Sequence, residues 1–174
     1  MSDFSLRFDV DSVLADARAR TGGLDDFGET PFAEPLGILI ASLAADGMLN
    51  DMGKSMAEER LTRHAVNRLS YIDDRKGNPG IADEKIVKPI FIVGFPRTGT
   101  TILHDILAQD PANRAPLTWE VMFPSPPPRT ETFDTDPRIE ACGATFPAMD
   151  RTIPAFKAMH PMGPRLSQEC VTMM

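Results

Sequence analysis

The sequence predicts an α/β chain: a P-loop-like parallel-sheet core, preceded by an N-terminal helical unit. Three observations carry that reading. Ile90-Phe91-Ile92-Val93 is a short, wholly apolar run rich in β-branched residues, which suits a strand covered on both faces. A glycine-bracketed loop, Gly94 to Thr101, follows at once and leads into an amphipathic helical pattern. Upstream, residues 1–80 hold helical patterns and no comparable strand, so the boundary is placed between a unit 1–80 and a unit 81–174.

Taken in order, residues 10–20 read as a short helix that Asp11 or Ser12 caps and Thr21-Gly22-Gly23 stops. Residues 34–46 read as a second helix, mostly apolar. Residues 55–73 read as a third, with Met56, Leu61, Ala65, Leu69 and Ile72 on one face. The cluster Gly77-Asn78-Pro79-Gly80 breaks it. In the run 86–93, Pro89 makes the strand start irregular and leaves 90–93 as its regular part. Residues 100–109 read as a helix with Ile102, Leu103, Ile106 and Leu107 on its apolar face, ended by Asp110-Pro111. Residues 114–118 suit a second short strand. Residues 123–129 carry four prolines and exclude a regular element. Short helices are expected at 136–142 and 151–159, a loop at 161–164, and the start of a helix at 166–174. No internal repeat is present.

Composition narrows the function classes. A chain of 174 residues with 42% hydrophobic residues can bury a core. A formal net charge of -7 argues against a nucleic-acid partner, which would favour a basic excess. Cys142 and Cys170 lie far apart and form neither a metal-ligand pattern nor a disulfide framework, so no metal is expected and reduced thiols of a cytoplasmic protein are. The opening residues, with Asp3 and Asp9, form no signal peptide. The longest apolar segment, 35–45, is broken by Gly37 and Ser42 and falls short of the ~20 residues of a membrane span.

The chemistry concentrates in Gly94-Phe95-Pro96-Arg97-Thr98-Gly99-Thr100-Thr101. Amides at a helix start point outward unsatisfied, the helix dipole adds positive potential there, and glycines let the backbone approach an anion. A phosphate is the natural guest. Against the pattern G-x-x-x-x-G-K-[ST], Gly94 and Gly99 have the right spacing and Thr101 fills the last position, but Thr100 stands where the lysine belongs. That lysine holds the β- and γ-phosphates of a nucleoside triphosphate. Without it the loop is poorly equipped for ATP. Arg97 supplies a cation from within the loop instead, and its planar fork suits a bridging phosphate or sulfate oxygen.

The run from Pro96 to Thr101 resembles the 5'-phosphosulfate loop of sulfotransferases, the enzymes that use 3'-phosphoadenosine-5'-phosphosulfate (PAPS). The resemblance implies that the backbone of Thr98, Gly99, Thr100 and Thr101 holds the 5'-phosphate. It also implies that Arg97 steadies charge on the leaving phosphate as the sulfuryl group departs. Ile102 stands where the cytosolic small-molecule branch carries a tryptophan, so the likeness is closer to the bacterial and tyrosylprotein-type branches. In the latter a glutamate some twenty residues after the loop cation acts as base, which singles out Glu120, in Leu117-Thr118-Trp119-Glu120. A lone glutamate is otherwise most often solvated or salt-bridged. Trp119 reads as a packing residue. His104 and His64 read as structural or exposed helix residues, and His160 is a fallback base. Glu169-Cys170 matches a pair seen in bacterial members, with no base beside Cys170 to make it a nucleophile.

The family's 3'-phosphate site comes from an Arg and a Ser on later elements, followed by a basic, glycine-containing segment. No such run follows here, so the resemblance implies either an N-terminal fragment of a longer product, inactive alone, or a chain that a partner completes, and open sheet edges and marginal stability are expected of it. The resemblance implies an acceptor that is a small molecule, glycan or lipid bearing a hydroxyl or amine. Two rival readings stand beside this one. One is a nucleotide kinase or NTPase with a degenerate phosphate loop. The other is a non-catalytic interaction remnant.

Overall fold

The computed structural model describes residues 9–29, 31–95, 97–155 and 161–170. Two compact units divide between Pro79 and Gly80.

The first unit is built on three helices: α1 (Val10–Arg20), α2 (Ala33–Ala45) and α3 (Asp51–Gly77). The cap of α1 is Asp9 rather than Asp11 or Ser12. Its Oδ1 accepts the Ser12 amide at 2.7 Å, and the Asp9 amide bonds back to the Ser12 hydroxyl, so two of the helix's orphan donors are satisfied reciprocally. Asn50 caps α3 with its side-chain oxygen, which accepts the Gly53 amide at 2.8 Å. Helix α3 runs one turn further than its periodicity predicts and ends at the glycine and proline cluster. Its buried stripe is Thr62, Ala65 and Leu69, at the three- and four-residue steps of one helical face. These residues join Val13 and Ala17 of α1, Ile40 of α2 and Phe27 in a single core. Met56, placed on that face by the sequence pattern, is exposed instead.

The connection between α1 and α2 is clamped onto α3. Arg68 donates through Nε to the Phe27 carbonyl at 2.7 Å and stacks its guanidinium over Phe32. Gly28 sits at φ +79 with Ile72 so close that a Cβ would meet its Cδ1 at 2.8 Å. Here glycine is required by both backbone and space.

The second unit differs from its expected sheet. Among the described residues there is no strand, and one isolated antiparallel bridge joins Leu117 to Ser167. Residues 90–93 have no regular structure, with Ile90, Phe91 and Val93 exposed. A strand exists only through ladder hydrogen bonds to a neighbour, and among the described residues 90–93 make none. The predicted parallel-sheet core is therefore not formed by these residues. Residues 114–118 are corrected likewise: the backbone bridges at Leu117 and then turns into α5 (Thr118–Met122).

The helix after the loop forms as expected, as α4 (Thr100–Ala108). Two further short helices follow, α6 (Pro137–Gly143) and α7 (Phe146–Thr152), with α6 packed against α5. Helix α7 lies earlier than the predicted 151–159, because Pro147 favours the first turn of a helix. Residues 153–155 are not helical, and 156–159 of that prediction lie outside the described residues; the helix predicted at 166–174 is not formed over 166–170, where the backbone instead bridges at Ser167, and 171–174 lie outside the described residues. Residues 123–129 are irregular, with a cis bond between Ser125 and Pro126.

Candidate active site

The loop 97–101 places its functional groups through backbone conformation. Arg97 and Gly99 take left-handed φ angles of +66 and +90. Glycine adopts this freely, but an arginine there is strained by ~1–3 kcal/mol. Gly99 is the N-cap of α4 and offers no side chain, so the helix start is uncapped. The amides of Thr100, Thr101 and Ile102 find no acceptor among the described residues. The Thr98 hydroxyl donates to the Phe95 carbonyl at 2.7 Å and folds the loop back over Gly94. A Cβ on Gly94 would meet Thr98 Oγ1 and Thr100 Cγ2 at 2.9 Å each, so only glycine keeps this cradle open. Arg97 is exposed and makes no hydrogen bond or ion pair among the described residues. Helix-start amides without an acceptor and an exposed arginine without an ion pair, among the described residues, thus belong to one loop, and such groups can hold a doubly charged anion.

Glu120, the candidate base, is a salt-bridged carboxylate. It is buried, and both oxygens are engaged. Oε1 accepts from the Arg114 guanidinium at 2.5 Å, and Oε2 accepts the Leu117 amide at 2.8 Å. The second bond reaches back from the third position of α5 to its N-cap, as a capping-box glutamate does. No hydrogen bond or ion pair among the described residues joins Glu120 to the loop at Arg97.

Around Glu120 the packing is tight. Trp119 is fully buried, its ring tilted against Phe133 at 5.4 Å between centroids. It packs, as its sequence context suggests, and its Nε1 is buried without a partner among the described residues. Segment 163–168 crosses the start of α5. The amides of Thr118 and Trp119 donate to the carbonyls of Leu166 and Pro164 at 2.9 and 3.0 Å, and the Gln168 amide donates to Pro116 at 2.9 Å. The Ser167 hydroxyl is hydrogen-bonded to Asp105 on α4. This segment ties α4, whose N-terminus carries the loop, to α5, which carries Glu120.

Sequence reasoning missed Arg138. Its guanidinium binds Asp136 twice, at 2.8 and 2.6 Å, and donates to the carbonyls of Phe123 and Pro126 at 2.9 and 2.5 Å. It also lies 4.8 Å over the Trp119 ring. One side chain thereby anchors the proline segment that follows Glu120. The hydrogen bonds from Arg138 hold the Asp136 carboxyl down to about 2. Nothing in the local pattern marks Arg138, because its partners are spread along the sequence.

The other singled-out groups are ordinary. Burial pushes the Cys142 thiol up to about 11, and it lies 3.6 Å from the Met122 sulfur. Cys170 is exposed, and neither cysteine is in a disulfide. His104 is half-buried on α4, and His160 lies outside the described residues. A cleft of about 350 Å³ lies between the second half of α4, Arg114, Phe133 and the crossing segment, and none of residues 97–101 lines it. Among the described residues no cluster of His, Cys, Asp and Glu could hold a metal, and no helix is long and apolar enough to cross a membrane.

Comparison with known proteins gives these features a family. Residues 89–174 match the family model described as "Sulfotransferase family". The crystal structure of sulfotransferase STF1 from Mycobacterium tuberculosis is 33% identical and superposes with a TM-score of 0.79, over 95% of this chain and 47% of that one. That of sulfotransferase STF9 from Mycobacterium avium is 28% identical with a TM-score of 0.77, over 99% of this chain and 44% of that one. No curated protein sequence matches. The chain spans less than half the length of these solved relatives, and within that span it belongs to the sulfotransferase family.

Proposed function

We propose that this chain carries the donor-binding part of an enzyme that transfers a sulfuryl group from PAPS to an acceptor hydroxyl or amine, in the cytoplasm. The observation that carries the reading is the loop itself. The reading is supported by the amides of Thr100 to Ile102 and by Arg97, none of which is paired among the described residues, and by the cradle over Gly94. These residues fit the 5'-phosphate end of that donor, which supplies the sulfuryl group when bound.

The chain's own groups have defined tasks. Amides from Thr98 to Thr101 bind and orient the phosphate. Arg97 meets the negative charge that grows on the bridging oxygen as its bond to sulfur breaks, an effect of electrostatic preorganisation. The acceptor oxygen or nitrogen forms the new bond to sulfur, and its proton needs a base. Glu120 is the candidate. It must first exchange its bond to Arg114 or to the Leu117 amide for the acceptor proton, since both oxygens are engaged.

Calorimetric titration with adenosine 3',5'-bisphosphate, beside ATP with Mg²⁺, tests the reading. Binding of the bisphosphate alone, weakened at least tenfold by Arg97→Ala, is expected. Mg²⁺-dependent ATP binding that survives the substitution would favour a nucleotide kinase or NTPase.

A further inference from the structure

Asp105 lies about one and a half turns along α4 from Thr100. Its Oδ1 accepts the hydroxyl of Ser167. Both side chains are half-buried, and neither has another hydrogen-bond partner among the described residues. Among those residues it is also the one hydrogen bond that a side chain of α4 makes.

Ser167 stands at the backbone bridge to Leu117. The bonds on either side of that pair run from the Thr118 amide to the Leu166 carbonyl and from the Gln168 amide to the Pro116 carbonyl, at 2.9 Å each. Leu117 and Ser167 therefore form a non-hydrogen-bonded pair, in which the side chains stand closest and each residue's own amide points away from the partner. The Leu117 amide is thus left for another acceptor, and it donates to Glu120 Oε2 at 2.8 Å. The buried Thr118 adds its hydroxyl to the Leu166 carbonyl at 3.0 Å. A connected set of hydrogen bonds runs from the helix that begins at the loop, through Asp105, Ser167 and Leu117, to the carboxylate of Glu120.

We infer that Asp105 and Ser167 are positioning residues: their bond holds the turn from Leu117 to Glu120 against α4 and so sets the place of the candidate base relative to the phosphate loop. Both act through Leu117 rather than on the reacting atoms. The bond stands without the donor reading, whereas its part in the reaction rests on that reading and on Glu120 as base. Position matters there, because a displacement of about 1 Å in a catalytic group can cost about a hundredfold in rate.

Two measurements on the full chain test this role. The first is amide hydrogen exchange by NMR without ligand. Asp105→Ala and Ser167→Ala are expected to speed exchange at Leu117, Thr118 and Trp119 about tenfold. The double variant should be no faster than either single one. Asp105→Asn, which keeps the accepting oxygen, should hold the slow rates, and the amides of α1 and α3 should not change in any variant. Asp105→Glu, which displaces the carboxylate by one methylene, is expected to speed the same three amides and serves where alanine unfolds the unit. The second is titration with adenosine 3',5'-bisphosphate, followed both by calorimetry and by the emission of Trp119, the single tryptophan. In the unaltered chain the emission should change in step with binding. Asp105→Ala should bind with retained affinity and lose the emission change, and Asp105→Asn should restore it. Unaltered exchange in the alanine and glutamate variants would overturn the assignment. So would an emission change that persists without the bond, or binding to the unaltered chain with no emission change. Absence of calorimetric binding would instead remove the donor reading and leave the exchange rates to decide the role of the bond.

Discussion

Replacing Arg138 by alanine is expected to destabilise the second unit by about 3 kcal/mol, and the figure follows from what the side chain touches. Its carboxylate partner is largely enclosed, with the Arg138 and Asp136 side chains 15% and 10% exposed. Removing one member of such a pair leaves the other charged and poorly solvated, which typically costs ~3–5 kcal/mol when fully buried. Partial solvent access reduces that value. The carbonyls of Phe123 and Pro126 lose a charged donor as well, and the contact over Trp119 adds ~0.5–1 kcal/mol. The sequence contains a single tryptophan, so fluorescence-monitored denaturation reads this neighbourhood directly. The midpoint should fall and the free emission of Trp119 should change with it. A double-mutant cycle with Asp136→Ala separates the pair from the rest, and a coupling of ~2 kcal/mol is expected. A loss below ~0.5 kcal/mol, or two strictly additive substitutions, would refute the claim that Arg138 anchors the proline segment through Asp136.

The same pair makes acid sensitivity predictable. Asp136 titrates at about 2 in the folded chain, below its ordinary value, so the stability it contributes is fully present above about pH 4 and is lost as pH falls toward 2. Asp136→Asn should flatten the pH dependence of the fluorescence midpoint over that window. Thiol labelling at pH 8 should modify the exposed Cys170 quickly, while the buried Cys142, raised to about 11, reacts only after denaturation. Gly94→Ala should reduce bisphosphate affinity at least tenfold, because its Cβ would press on Thr98 and Thr100. Helical circular dichroism should be unchanged.

How much could be read before folding depended on how local each interaction is. Helix α1 ends at the predicted residues because its breakers, Thr21-Gly22-Gly23, lie next to it. Its cap was misplaced by two or three positions, since Asp9, Asp11 and Ser12 all have capping chemistry and only the backbone decides among them. The cradle at 94–101 is local too. Glycine spacing, an uncapped helix start and an internal arginine can be read within eight residues. Of the site, that loop was legible, and Glu120 was legible only as a candidate.

The sequence by itself determined the helices α1 to α4 and the glycine-bracketed turn that opens α4, because hydrogen bonds within a few residues produce both. Tertiary structure alone decided the rest. It placed Glu120 against Arg114, drew segment 163–168 across α5, and recruited Arg138 to Asp136 and the proline carbonyls. It also left 90–93 without a ladder bond among the described residues. A strand is a relation between distant segments, and an apolar, β-branched run can state its readiness for that relation but cannot supply the partner.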